Sequence, residues 1–348
     1  MAQLPEILEW YSLTPMVNEM KSPRTFLRDT FFGDVETQTT ENIVFSVLEG
    51  GRETAPFVKR DGEAIMAGGY DEKEYTIGAP NIRIKRPLEA SDLIFRRHAG
   101  DVIFADGGTV EAAAEREIAR QLMRLNDLID NAEEYLCALA IRGTISYTAA
   151  DEANFTITYP KPSGNTVTLT NFWNGASATP MQDARDAKFI MHDAVSLNPT
   201  DVILGSEATD AFLSSDEVRS LLDTKNVNAG NLNLSADVDS QGAMFLGLFA
   251  GLRWWSYPSQ VTVAGVATDL IRTKYAEFLH RGPGAEMKLY YAAISDLDAM
   301  DAGLLATRRF SKSWRQADPS VHQILVTARP LPVLRRPGAI VSMKVVSG

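Results

Sequence analysis

A single cysteine, Cys137, stands in 348 residues, so no intramolecular disulfide can staple this chain, and a cystine framework of the small secreted kind is excluded. Histidine is almost as scarce. His98, His192, His280 and His322 lie at least 42 residues apart, and without HExxH or a paired Cys/His spacing no metal centre is expected. The phosphate-cradling GxxxxGK[ST] and the nucleophile elbow GxSxG are both missing. Gly282-Pro-Gly284 begins like a dinucleotide fingerprint, but Met287 stands where the third glycine belongs. No cofactor and no catalytic residue are therefore expected.

Long apolar runs are lacking too. The longest, Ala243 to Leu252, is about half of the roughly 20 residues that cross a bilayer, so no membrane partner is expected. Basic charge falls short of acidic, 34 Lys and Arg against 45 Asp and Glu, a formal net charge of −11. A general nucleic-acid binder with a basic face is disfavoured. Glu6, Glu9 and Glu19 precede the first basic residue, Lys21. That is the wrong charge order for a secretory leader, and the chain is expected to work without export.

What is present is a mixed α+β chain with reaching parts. Residues 1–40 read as an arm with one apolar docking point at Phe26, Leu27, Phe31 and Phe32. Ile43 to Leu88 reads as a long β-hairpin, broken by Gly50-Gly51, Gly62, Gly68-Gly69 and Pro80. Thr109 to Arg142 contains neither proline nor internal glycine and carries an apolar stripe at Ile118, Leu122, Leu125, Ile129, Ala132, Leu136 and Leu139. That spacing predicts a helix of about 50 Å, a spine or else a coiled-coil seam. Its Asp127, Asp130, Glu133 and Glu134 read as a solvated face, and burial beside the stripe is expected to leave Cys137 inert.

Further on, Pro180 to Val195 predicts a helix with Pro180 in its first turn, Val202 to Leu204 a buried strand, and Ser206 the cap of another helix. Asn226 to Gln241 reads as a loop rich in Asn, Ser, Asp and Gly. Strands are expected at 252–257, 261–263, 288–294 and 322–328. A link punctuated by Pro330, Pro332 and Pro337 then leads to a last strand at 339–346. Trp254-Trp255 reads as a strand with one ring on each face. Arms and hairpins that reach outwards make contacts between copies, which close into rings or shells when the rotation permits.

Residues 309–346, RFSKSWRQADPSVHQILVTARPLPVLRRPGAIVSMKVV, resemble the closing segment of the lambda-type phage major capsid protein family, major capsid protein E. Three further stretches resemble it: the arm motif Phe26 to Phe32, the segment Ile84 to Asp92, and the turn and strand Asn198 to Gly205. The resemblance implies an α+β, HK97-like capsid fold with four parts. These are an N-terminal arm at 1–40, an extended loop at 41–98, a peripheral domain at 99–170 and 296–335 carrying the spine helix at 109–142, and an axial domain at 171–295 and 336–348. It also implies hexamers and pentamers of an icosahedral virion capsid, assembled in the host cytoplasm around DNA as a non-specific neighbour. Implied partners are further copies of the chain, a small decoration protein, portal, and scaffold or maturation protease.

On that basis the arm aromatics Phe26, Phe31 and Phe32, and Trp314, are expected at subunit contacts. Arg83, Lys85 and Arg86 are expected to pair with Asp127, Asp130, Glu133 and Glu134 of an adjacent subunit. Some related capsids form Lys–Asn cross-links from the extended loop, which here carries Lys59, whereas the resemblance to the lambda-type branch implies a decoration protein instead. Two other readings are a host-encoded, encapsulin-like compartment shell of the same fold and, from another class, a soluble hydrolase with a site of scattered carboxylates.

Overall fold

The computed structural model describes residues 10–19, 25–49, 71–89, 110–147, 155–223, 230–238, 242–301, 303–316, 318 and 321–348. Its organising element is the long helix α3 (Val110–Arg142), preceded by α1 (Trp10–Glu19) and α2 (Phe26–Phe31). The expected spine is thus present to within one residue. Its N-terminal half, from Ile118 to Ile129, packs into one apolar cluster. Its last turns, Leu136 to Ile141, enter a second and larger one. A single helix therefore runs through two cores.

The first core lies under an antiparallel sheet ordered β16 (Phe310–Gln316), β17 (Val321–Ala328), β4 (Ile82–Glu89). Ile82, Ile84 and Leu88 of β4 alternate with Arg83, Lys85 and Pro87, so one side of the strand meets α3 and the other turns away. Leu13 and Val17 of α1 close the same cluster. Here β4 departs from the sequence reading. The hairpin itself is β2 (Asn42–Glu49) paired with β3 (Asp71–Gly78), and β4 leaves it to pair along its length with β17.

A seven-stranded mixed sheet forms the other half. Its order is β7 (Thr166–Thr168), β19 (Ile340–Lys344), β14 (Tyr275–Leu279), β8 (Asp201–Leu204), β11 (Leu252–Ser256), β10 (Met244–Phe249), β9 (Gly230–Val238). Both faces are covered, which is why β8 is buried at every position. Val202 and Leu204 point to a cluster with α4 (Pro180–Val195) and α5 (Ser206–Ser214), while Ile203 points to the spine side. The Trp pair divides as expected: Trp254 is fully buried against Phe212, stacked at 4.3 Å, and half-buried Trp255 faces Phe26 on the spine side.

Three expectations need correction. The segment taken as a loop contains β9, whose Leu232 pairs with Gly247 of β10; Leu232, Leu234, Ala236 and Val238 alternate within its polar residues. Pro330 and Pro332 lie in β18 (Pro330–Leu334), at the edge of the sheet ordered β1 (Asp34–Thr37), β15 (Met287–Tyr291), β18. An edge tolerates residues without an N–H. Ser206 begins α5 inside the helix, and Gly205 holds the N-cap position.

Candidate assembly site

Halfway along α3 three carboxylates are buried: Asp130, Glu133 and Glu134, each at most 2% exposed. Arg28 of α2 and Arg309, beside β16, converge on the first two. Arg28 Nη1 lies 2.8 Å from Glu133, and it also bonds Asp130. Arg309 Nη2 lies 2.5 Å from Asp130 and 3.0 Å from Glu133. Arg308 approaches Glu133 at 3.4 Å, and the Tyr291 hydroxyl donates to Glu133 at 2.9 Å. Burial alone would raise the Asp130 carboxyl, but Arg309 and Arg28 outweigh it and hold it below its ordinary range. Both arginines are correspondingly held above theirs, against the opposing effect of burial.

Glu134 acts differently. Its two oxygens accept the backbone N–H groups of Leu27 and Arg28 at 2.7 and 2.9 Å, so a distant carboxylate satisfies the first turn of α2. Tyr257, just after β11, donates its hydroxyl to the same carboxylate at 2.9 Å. Burial pushes Glu134 up to about 7 despite these three donors. Burial also raises the Cys137 thiol, which lies one turn further on. The arm is tied once more at α1, where Thr14 exchanges hydrogen bonds with the backbone of Ser311 at 3.1 and 3.2 Å.

Two arginines flanking β18 hold the hairpin. Arg329 Nη1 donates to Glu41, Ala293 and Ser295, and its Nη2 reaches the carbonyl of Ala79 at 3.5 Å, so the start of β2 and the end of β3, side by side at the hairpin root, meet one guanidinium. Arg335 bonds the backbone and hydroxyl oxygens of Ser46 and a carboxyl oxygen of Glu286 at 3.3, 3.1 and 2.5 Å. Ile43, Phe45 and Val47 seat the hairpin root in the larger core, while Val44 is exposed.

These contacts correct the expected site. Phe26, Phe31 and Phe32 are buried in the chain's own core, Phe26 against Trp255 and Tyr257, so the docking point of the arm is intramolecular. Asp130, Glu133 and Glu134 are buried against arginines and backbone of their own chain, out of reach of Arg83, Lys85 or Arg86 of a neighbour; only Asp127 of the four is exposed. The reason is the helix turn. Asn126, Asp130, Glu133 and Cys137 follow one another at intervals of four, three and four on the buried side, and Asp127 falls off it. Arg83, half-exposed, sits 3.7 Å from Asp296 of its own chain. Lys85 is exposed, Arg86 half-buried and Trp314 39% exposed. Lys59 lies outside the described residues.

Sequence reasoning missed Arg28, Arg309, Arg329 and Arg335. A signal existed for the first two: acids continuing an apolar helical stripe require buried bases. What stays outward is the far side of the β16–β17–β4 sheet, with Lys85, Pro87 and Trp314, and the apolar pair Leu297 and Met300 of the short helix α7 (Leu297–Asp301), 78% and 55% exposed. The remaining short helix, α6 (Asp216–Asp223), follows α5. Among the described residues no helix is long and apolar enough to cross a membrane, and no group of three or more His, Cys, Asp or Glu is arranged to hold a metal.

A fold closed around a spine helix, with a hairpin held at its root, fits a shell subunit. The model of the family described as phage major capsid protein E matches residues 9–345. The chain belongs to that family. Its fold is shared with the putative capsid protein of a prophage of E. coli CFT073, at 17% identity and a TM-score of 0.73 over 97% of this chain and 99% of that one. The capsids of cyanophage P-SCSP1u and Ralstonia phage GP4 each give a TM-score of 0.52 at 10% identity, covering 94% and 95% of this chain and 91% and 93% of theirs. No curated protein matches. This capsid protein is thus a self-assembling component of a phage shell, with the α+β, HK97-like fold.

Proposed function

We propose that the chain forms the hexamers and pentamers of an icosahedral tailed-phage head that encloses the DNA genome, with no catalytic role of its own. The reading rests on family membership over residues 9–345. The geometry agrees with it. The buried ionic network ties arm, spine and late strand within one subunit, which leaves the outer sheet face and the hairpin for neighbours. Lys85 and Trp314 on the outer sheet face and the exposed Asp127 of the spine helix are the residues assigned to subunit contacts, with apolar contacts supplying most of the energy, because an exposed ion pair contributes only about 0–1 kcal/mol.

The assembly partners are a portal, a scaffold or maturation protease, and a small decoration protein, and assembly takes place in the host cytoplasm. DNA is a non-specific neighbour for a chain of net charge −11. In this reading the chain has an arm, an extended loop, a peripheral domain and an axial domain, with β4 counted in the peripheral sheet because it pairs with β17. The strand β7 pairs with β19, so the segment from 166 onwards goes with the axial sheet. Electron microscopy with light scattering on the purified chain, with and without a scaffold protein, tests this reading. Closed shells or isolated hexamers and pentamers are expected; a stable small globular species under both conditions would contradict it.

A further inference from the structure

Three cations meet at the C-terminal end of the spine. Arg142 closes α3, Lys161 follows β6 (Phe155–Thr158), and Arg272 precedes β14. One buried carboxylate, Glu277 at 1% exposure, faces all three. Arg272 Nη2 donates to it at 2.7 Å. Lys161 Nζ donates to Ser342 Oγ at 2.8 Å, and Ser342 in turn donates to Glu277. Arg142 spends its Nη2 on two backbone carbonyls, of Asp269 and Leu270, at 2.5 and 2.8 Å. Even counting Asp269, whose side chain accepts from Gln260, cations exceed carboxylates by three to two.

We propose that Arg142, Lys161 and Arg272 form a binding site for a phosphate group, the surplus positive charge and unused donors of this joint being its recognition elements. Two of those donors are visible. The Nε–H groups of Arg142 and Arg272 are buried without an acceptor, which is costly unless something accepts from them. Arg272 lies 3.5 Å over the ring of Tyr275, which fixes its plane, and its side chain is 28% exposed, so the cluster opens to solvent on that side. Planar guanidinium forks suit a tetrahedral oxyanion carrying several acceptors better than a lone halide.

The cations also repel one another. Burial first, and then Arg272, lower the proton affinity of both Arg142 and Lys161, and Lys161 falls to about 8. A bound anion reverses that repulsion. The phosphate can come from free inorganic phosphate or from the backbone of DNA, and the chemistry of the site is the same for both.

The test is titration calorimetry and phosphorus NMR on the purified full chain with inorganic phosphate at pH 7 and constant ionic strength. Saturable binding is expected, weakening as pH rises through 8 when Lys161 loses its proton. Lys161→Met removes a surplus cation and so should fold normally, yet it should lower the phosphate affinity about tenfold, as should Arg272→Gln. Displacement of bound phosphate by a 12-base-pair duplex would assign the site to the DNA backbone; no displacement would assign it to free phosphate. Absence of saturable binding in the parent chain, or equal affinity in a folded Lys161→Met chain, would overturn the proposal.

Discussion

The middle and the end of the spine helix solve the burial of charge in opposite ways. In the middle, Asp130, Glu133 and Glu134 meet Arg28, Arg308 and Arg309, all from one chain. At the end, three cations share Glu277 with little other acid. The first cluster is balanced and joins three segments far apart in sequence. The second is unbalanced. Each reaches solvent at one arginine, Arg308 in the first and Arg272 in the second. A balanced cluster can only fasten, whereas an unbalanced one also attracts, so position along the spine separates holding from binding.

Breaking the balanced cluster should have the largest effect. Arg309→Met leaves Asp130 and Glu133 short of a partner in the interior and is expected to cost about 3–5 kcal/mol, read from urea unfolding of the soluble subunit. A loss below about 1 kcal/mol would mean that the cluster does not hold the arm. Glu277→Gln at the other end should cost about 3 kcal/mol, since three cations lose their only fully buried counter-charge. Inorganic phosphate should restore part of that loss by mass action and should not help Arg309→Met. Equal responses of the two variants would erase the distinction between the clusters.

Glu134 sharpens the comparison through pH. Burial raises its folded-state pKa to about 7 from 4.5, so between those values the folded chain binds more protons than the unfolded one. The sign is therefore negative: this group's contribution is present at low pH and lost as pH rises through 7, by about 3 kcal/mol. Asp130, held low, works the other way at more acidic pH. Urea midpoints between pH 5 and 8 should fall more steeply in the parent chain than in Glu134→Gln, and parallel curves would refute the assignment. Smallest of all, Arg83→Ala on the outer sheet face should change subunit stability by no more than about 1 kcal/mol, because its partner Asp296 is 3.7 Å away and Arg83 is half-exposed. A larger loss in unfolding experiments would place part of the fastening outside the spine.

Local pattern carried much of the fold. The spine stripe, the Pro180 start of α4, the buried strand at Val202 to Leu204 and the two-faced Trp pair all follow from period and turn chemistry within a few residues. The site was less legible because its chemistry is long-range. Arg28 and Arg309 reach Glu133 from 105 and 176 positions away, and no spacing in the sequence announces such a meeting. The same cause misplaced Phe26, Phe31 and Phe32: an apolar knot in an arm looks alike whether it docks on its own chain or on another. In β9, polar residues between Leu232 and Val238 masked an alternation of period two that only its pairing with β10 makes evident.

The most direct measurement is a cryo-electron microscopy structure of the assembled particle at side-chain detail. A closed shell in which Arg28 and Arg309 contact Glu133 of their own subunit, with neighbours meeting the hairpin and the outer sheet face, is the predicted result. A particle in which Glu133 is paired with an arginine of another subunit, or a chain that forms no shell at all, would contradict it.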